Sequence, residues 1–134
     1  DELRRLMAEV RSTLNLPEME LSEAGKDLPA GEDQEFSNRL MGILWERMGD
    51  ETFDVASLAS QMGMSRTKLF NRVREVTGQT PKQLLNEVRL FAADKLLAEG
   101  TMSVSEIADA TGWSSVSYFS KSFKRRFGRN PKKN

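Results

Sequence analysis

Cysteine and histidine are both missing from the 134 residues. Without cysteine there are no disulfides, no thiol nucleophiles and no thiolate zinc sites. Without histidine the commonest general base and the commonest metal ligand are gone. Carboxylate chemistry stays open, but no glycine-rich phosphate loop or activated nucleophile accompanies the acids, so no enzyme, cofactor or metal site is expected. No apolar run reaches the roughly 18 residues of a membrane span. No leader of the secretory kind is present either, so the chain reads as cytoplasmic. It opens on Asp1 without an initiator Met, as a piece cut from a longer protein would. No window alternates with a period of two for long enough to suggest a strand.

What is present is charge, unevenly placed. The formal net charge is zero, yet residues 1–63 hold 6 Lys/Arg against 14 Asp/Glu, and residues 64–134 hold 14 against 6. The two parts therefore carry −8 and +8. A basic half is the electrostatic footprint of a polyanion binder.

Leu3, Leu6, Met7, Val10 and Leu14 recur at helical spacing, which predicts an amphipathic helix over 1–14. Residues 15–32 contain two of the four prolines, two glycines and several acids, the composition of a linker. From Asp33 the chain reads as all-α. Phe36, Leu40, Ile43, Leu44 and Met48 share one face of a first helix, with acids at its start to suit the helix dipole. A short helix follows at 55–62, then a turn at Gly63-Met64-Ser65 and a helix at about 66–77. Pro81 opens a long helix to about Ala98. Thr101 or Ser103 caps a helix at 104–111, and the last runs from about 116 to 127.

Two stretches repeat each other. VASLASQMGMSRTKLFNRVREVTGQTP begins at Val55, and VSEIADATGWSSVSYFSKSFKRRFGRNP begins at Val104. Val55, Leu58, Ala59 and Gly63 match Val104, Ile107, Ala108 and Gly112; after the turn, Leu69, Val73, Gly78 and Pro81 match Phe119, Phe123, Gly128 and Pro131. The second copy holds one extra residue near its turn. Small Ala59 and Ala108 let two short helices cross closely. Gly63 and Gly112 supply a left-handed turn without Cβ strain. Ser65, and Ser114 or Ser115, are placed to cap the second helix and leave its positive N-terminus outward. Helix, glycine turn, helix is a helix-turn-helix pattern, and here it occurs twice. The helix between the copies, about 18 residues or roughly 27 Å, has the length to hold two recognition helices about one duplex turn, roughly 34 Å, apart.

Residues 33–131 resemble the DNA-binding domain of the AraC/XylS family of bacterial transcription regulators. The resemblance is carried by Gly63-Met64-Ser65-Arg66, Leu69, Thr77-Gly78, Pro81, Arg89-Leu90, Ala93 and Leu96-Leu97. In the second half it rests on Val104 to Ala108, Gly112, Ser117-Tyr118-Phe119, Phe123-Lys124 and Phe127-Gly128. It implies an all-α domain over 33–134 with two helix-turn-helix subdomains, about 55–77 and 104–127, joined by the linker helix at about 81–98. The pattern departs at the end: the family continues past Pro131 with a short helix bearing an aromatic, and here only Lys132-Lys133-Asn134 follow. The first 32 residues are unlike the sugar-binding barrel of many members. They look like the connection to an upstream signalling domain in hybrid two-component sensors or response regulators.

Placing Leu69, Val73 and Val76 inward at 100° per residue turns Thr67, Asn71 and Arg74 outward, with Arg66 and Phe70 at the borders. The same rule on Phe119 and Phe123 turns Ser117, Lys121 and Lys124 outward. Asn71 suits adenine, Lys121 suits guanine O6 and N7, and the Thr67 methyl suits thymine. The resemblance adds a base contact at Phe70, there apolar. Expected base contacts are thus Thr67, Phe70, Asn71, Ser117 and Lys121. Ser65, Arg66, Arg74, Ser115, Tyr118 and Lys124 are expected on phosphates, setting register; Arg72, Arg125 and Arg126 stay unassigned. Phe36, Trp45, Phe91, Trp113, Phe119, Phe123 and Phe127 fall at core periodicities. The expected partner is double-stranded DNA, with a homodimer through upstream regions and RNA polymerase as further candidates and no small-molecule ligand. A helical protein-interaction module and a nonspecific nucleoid-type binder are the alternatives.

Overall fold

The computed structural model describes residues 30–132. They form α1 (Ala30–Arg47), α2 (Val55–Met62), α3 (Arg66–Thr77), α4 (Pro81–Glu99), α5 (Val104–Ala110) and α6 (Val116–Phe127), with no strand among the described residues. The helix expected over 1–14 and most of the linker at 15–32 lie outside them. The last three linker residues are helical instead: α1 starts at Ala30, not Asp33. Gly31 suggested linker chemistry, but a glycine costs a helix only about 1 kcal/mol. Glu32 and Asp33 then fall in the first turn, where the dipole favours acids.

Two compact units divide the chain, and the division does not follow the sequence order. Among the described residues, the first takes those up to Leu44 together with Val55–Pro81, and the second takes Trp45–Asp54 and those from Lys82 on. The first unit buries Phe36, Leu40, Met41 and Leu44 from α1, Leu58, Ala59 and Met62 from α2, and Leu69 and Val73 from α3. Ile43 and Val76, expected inside, are only partly buried; Thr77 is buried instead, its hydroxyl donating to the Val73 carbonyl at 2.8 Å.

The second unit packs Leu90, Ala93 and Leu97 of α4 against Ile107 and Ala108 of α5, Trp113 of the turn, and Phe119 and Phe123 of α6. Its rings form a chain: Trp113 meets Tyr118 and Phe119, Phe119 meets Phe123, and Phe123 meets Phe127 at a centroid distance of 4.6 Å. Trp45, Phe91 and Phe127 are half-buried, not enclosed.

Two parts of this unit leave no signal in helix periodicity. Phe53, in the loop after α1, is 2% exposed. Arg89, a charged residue in the middle of α4, is 8% exposed. Its Nε donates to the Met48 carbonyl at 2.9 Å, and its Nη2 donates to those of Asp50 and Phe53 at 3.0 and 3.1 Å. The guanidinium therefore ties together three carbonyls of the loop after α1, of which that of Asp50 also accepts the Phe53 N–H at 3.0 Å. Burial lowers its pKa from the ordinary arginine value, and Asp50 opposes that shift.

Candidate nucleic-acid interface

Both helix pairs are built alike at the hydrogen-bond level. After α2, the Met64 N–H donates to the Ala59 carbonyl at 3.0 Å; after α5, the Trp113 N–H donates to the Ala108 carbonyl at 3.0 Å. Gly63 and Gly112 take φ of +72° and +86°, the left-handed region the turn requires. The extra residue of the second copy follows this shared bond. Arg66 opens α3 three residues after Gly63, whereas Val116 opens α6 four residues after Gly112.

Each second helix is capped by a serine. The Ser65 hydroxyl accepts the Lys68 N–H at 3.0 Å, and the Ser115 hydroxyl accepts the Tyr118 N–H at 3.0 Å. Of Ser114 and Ser115, the cap is Ser115. Both cap serines are exposed, so each keeps a hydroxyl proton to donate outward beside a positive helix end.

All eleven residues expected to touch DNA are exposed: Ser65, Arg66, Thr67, Phe70, Asn71 and Arg74 in the first pair, and Ser115, Ser117, Tyr118, Lys121 and Lys124 in the second. Phe70 and Tyr118 are large rings at 46% and 47% exposure. On α3 the outward residues line one shallow open depression, made by Ser65, Thr67, Lys68, Asn71, Arg72, Arg74 and Glu75. Lys68 and Glu75 were not anticipated there. A wheel drawn from the buried residues would have found both.

The three unassigned arginines separate. Arg72 belongs to the protein: it donates to Asp33 at 2.8 Å and Glu75 at 3.1 Å, and lies 4.8 Å from the centre of the Phe36 ring. Its hydrogen bond to Asp33 is the main reason its pKa rises above the ordinary value. Arg126 pairs with Glu87 and covers Phe127. Arg125 is exposed and has no ion pair among the described residues. Arg129 is also occupied, by Asp94 at 2.8 Å and by the rings of Phe123 and Phe127.

A helix-turn-helix domain model matches residues 58–133, more than half the chain and spanning both helix pairs. The chain belongs to the AraC/XylS family. Similar proteins include the HTH-type transcriptional regulator AlkR of Acinetobacter baylyi, 36% identical over 73% of this chain and 31% of AlkR. Histidine kinase P4 of Formosa agariphila is 34% identical over 74% of this chain and 7% of that protein. The chain thus spans less than a third of either relative. The solved DNA-binding domain of AdpA, a global transcriptional factor crystallised with a target DNA, is 32% identical with a TM-score of 0.66, over 70% of this chain and 84% of that one. What the chain shares with these relatives is the helix-turn-helix domain itself.

Proposed function

We propose that α3 and α6 enter successive major-groove segments of one duplex, with α4 as the spacer between the two pairs. At 19 residues, α4 is about 28 Å long, close to one duplex turn. Thr67, Phe70, Asn71, Ser117 and Lys121 read base edges; Ser65, Arg66, Arg74, Ser115, Tyr118 and Lys124 hold phosphates. The observation that carries this reading is the duplication itself. Two glycine-turned, serine-capped helix pairs recur in one chain, and each second helix carries exposed cationic and hydroxyl side chains beside its capped N-terminus.

The reading extends to the longer protein. The acidic N-terminal third and the likeness to a histidine kinase support an output role in a two-component signalling protein working in the cytoplasm. Pairing of two copies through upstream regions, and contact with RNA polymerase, follow as the partners of such a role.

Titration against randomised duplexes, with recovery of the bound fraction, tests this. The expected result is salt-sensitive binding with a tenfold or greater preference for one sequence. Salt-sensitive binding without preference would mark a nucleoid-type binder. No duplex binding would leave a protein-interaction module.

A further inference from the structure

Glu75 is out of character on the α3 face. Its neighbours Arg66, Lys68 and Arg74 are all exposed cations, as a phosphate-facing helix requires. Glu75 lines the same depression, and its side chain is 71% exposed. Thr67, Asn71 and Glu75 are spaced i, i+4, i+8, so they form one ridge with a rise of about 6 Å per step. A carboxylate on that ridge weakens attraction to every phosphate it approaches. Nonspecific affinity gains nothing from it.

The carboxylate is also held in place. Arg72 Nη1 donates to Glu75 Oε1 at 3.1 Å, while its Nη2 donates to Asp33 Oδ1 at 2.8 Å. With Phe36 beneath the guanidinium, Arg72 is fixed from the α1 side, its own side chain only 22% exposed. Glu75 is tied through one oxygen to a fixed post, and Oε2 has no hydrogen bond among the described residues. The result is a pre-oriented group that only accepts hydrogen bonds.

Major-groove chemistry then selects its partner. Guanine offers acceptors only, and thymine an acceptor and a methyl; both repel a carboxylate. Adenine presents its amine beside the N7 acceptor. Cytosine N4 has an acceptor on one side only, O6 of the paired guanine, whereas the adenine amine lies between N7 and the paired thymine O4. We propose that Glu75 is a specificity-determining residue that accepts from cytosine N4, next to the base read by Asn71, and that Arg72, held by Asp33, is its positioning residue. This rests on the DNA-reading role given above for α3.

The test selects sites from randomised duplexes with the wild-type chain, Glu75→Ala, Glu75→Gln, Arg72→Gln and Asn71→Ala. Wild type should require cytosine, roughly fivefold or more over guanine or thymine, at a position within about two base pairs of the one lost in Asn71→Ala. Glu75→Ala should erase that requirement while binding scrambled duplex at least as tightly as wild type. Glu75→Gln should move the preference toward adenine, whose N6 and N7 suit an amide. Arg72→Gln should blur the cytosine position and no other. If both Glu75 variants select the wild-type sequence, the inference is wrong while the DNA-reading role stands. If wild type itself selects no sequence, both fall together.

Discussion

Asn71 and Arg74 lie three residues apart on α3, both exposed, yet their chemistry separates their roles. An amide pairs with the edge of one base, whereas a guanidinium on a phosphate meets the same group under every sequence. Asn71→Ala should therefore weaken a selected site by about 1–3 kcal/mol and relax one position. Lys121→Ala should do the same in the other half of the site. Arg74→Ala should weaken selected and scrambled duplexes alike and flatten the salt dependence by about one contact. Fluorescence titration of both duplexes with the three variants distinguishes these outcomes. A uniform loss from Asn71→Ala would move that residue from the bases to the backbone.

At the scale of elements, the two turns share a hydrogen bond but differ in their surroundings. A Cβ added at Gly63 meets nothing within 4 Å. One added at Gly112 would lie 2.1 Å from the Met48 carbonyl oxygen and 2.6 Å from Arg89 Nε. Gly63→Ala thus carries only the left-handed strain, about 1–2 kcal/mol. Gly112→Ala adds a collision with backbone and with the arginine that holds the loop after α1, and should cost more than about 3 kcal/mol. Urea unfolding of the two variants gives the comparison, and equal losses would contradict it. The repeat made both glycines legible, because a turn, a cap and a helical stripe are written in neighbouring residues. The difference between them was not. Gly112 touches Met48, and Arg89 reaches carbonyls 36 to 41 residues away in sequence. The same distance hid Phe53, a lone aromatic in an acidic loop, and the clasp of Arg72 by Asp33 from α1, 39 residues earlier. Helix period turned Thr67, Asn71, Arg74, Ser117, Lys121 and Lys124 outward, and all six are exposed; which arginines were already taken was not legible.

Taken whole, the charge division remains but its basic half is partly spent inside the protein. Of the 14 Lys/Arg in residues 64–134, Arg72, Arg126 and Arg129 hold carboxylates of this chain and Arg89 holds carbonyls. Arg66, Lys68, Arg74, Lys121, Lys124 and Arg125 stay exposed on the two second helices. Those six alone would give a slope of log affinity against log salt of about −5, where all fourteen would give about −13. Titration across a salt series reads this directly, and a slope near the larger figure would mean that the internal pairs open on DNA.

Two helices reading one duplex from one chain is the claim on which the rest turns, and it has a geometric consequence. With α4 as the proposed spacer, the two helices should not both follow a site whose halves are moved apart or rotated. Affinity should therefore be measured for a selected duplex and for versions with about five and about ten base pairs, half a turn and a full turn, inserted between its two halves. Both insertions should reduce binding at least tenfold, to the level of an isolated half-site. Unchanged affinity on either lengthened duplex would contradict the account.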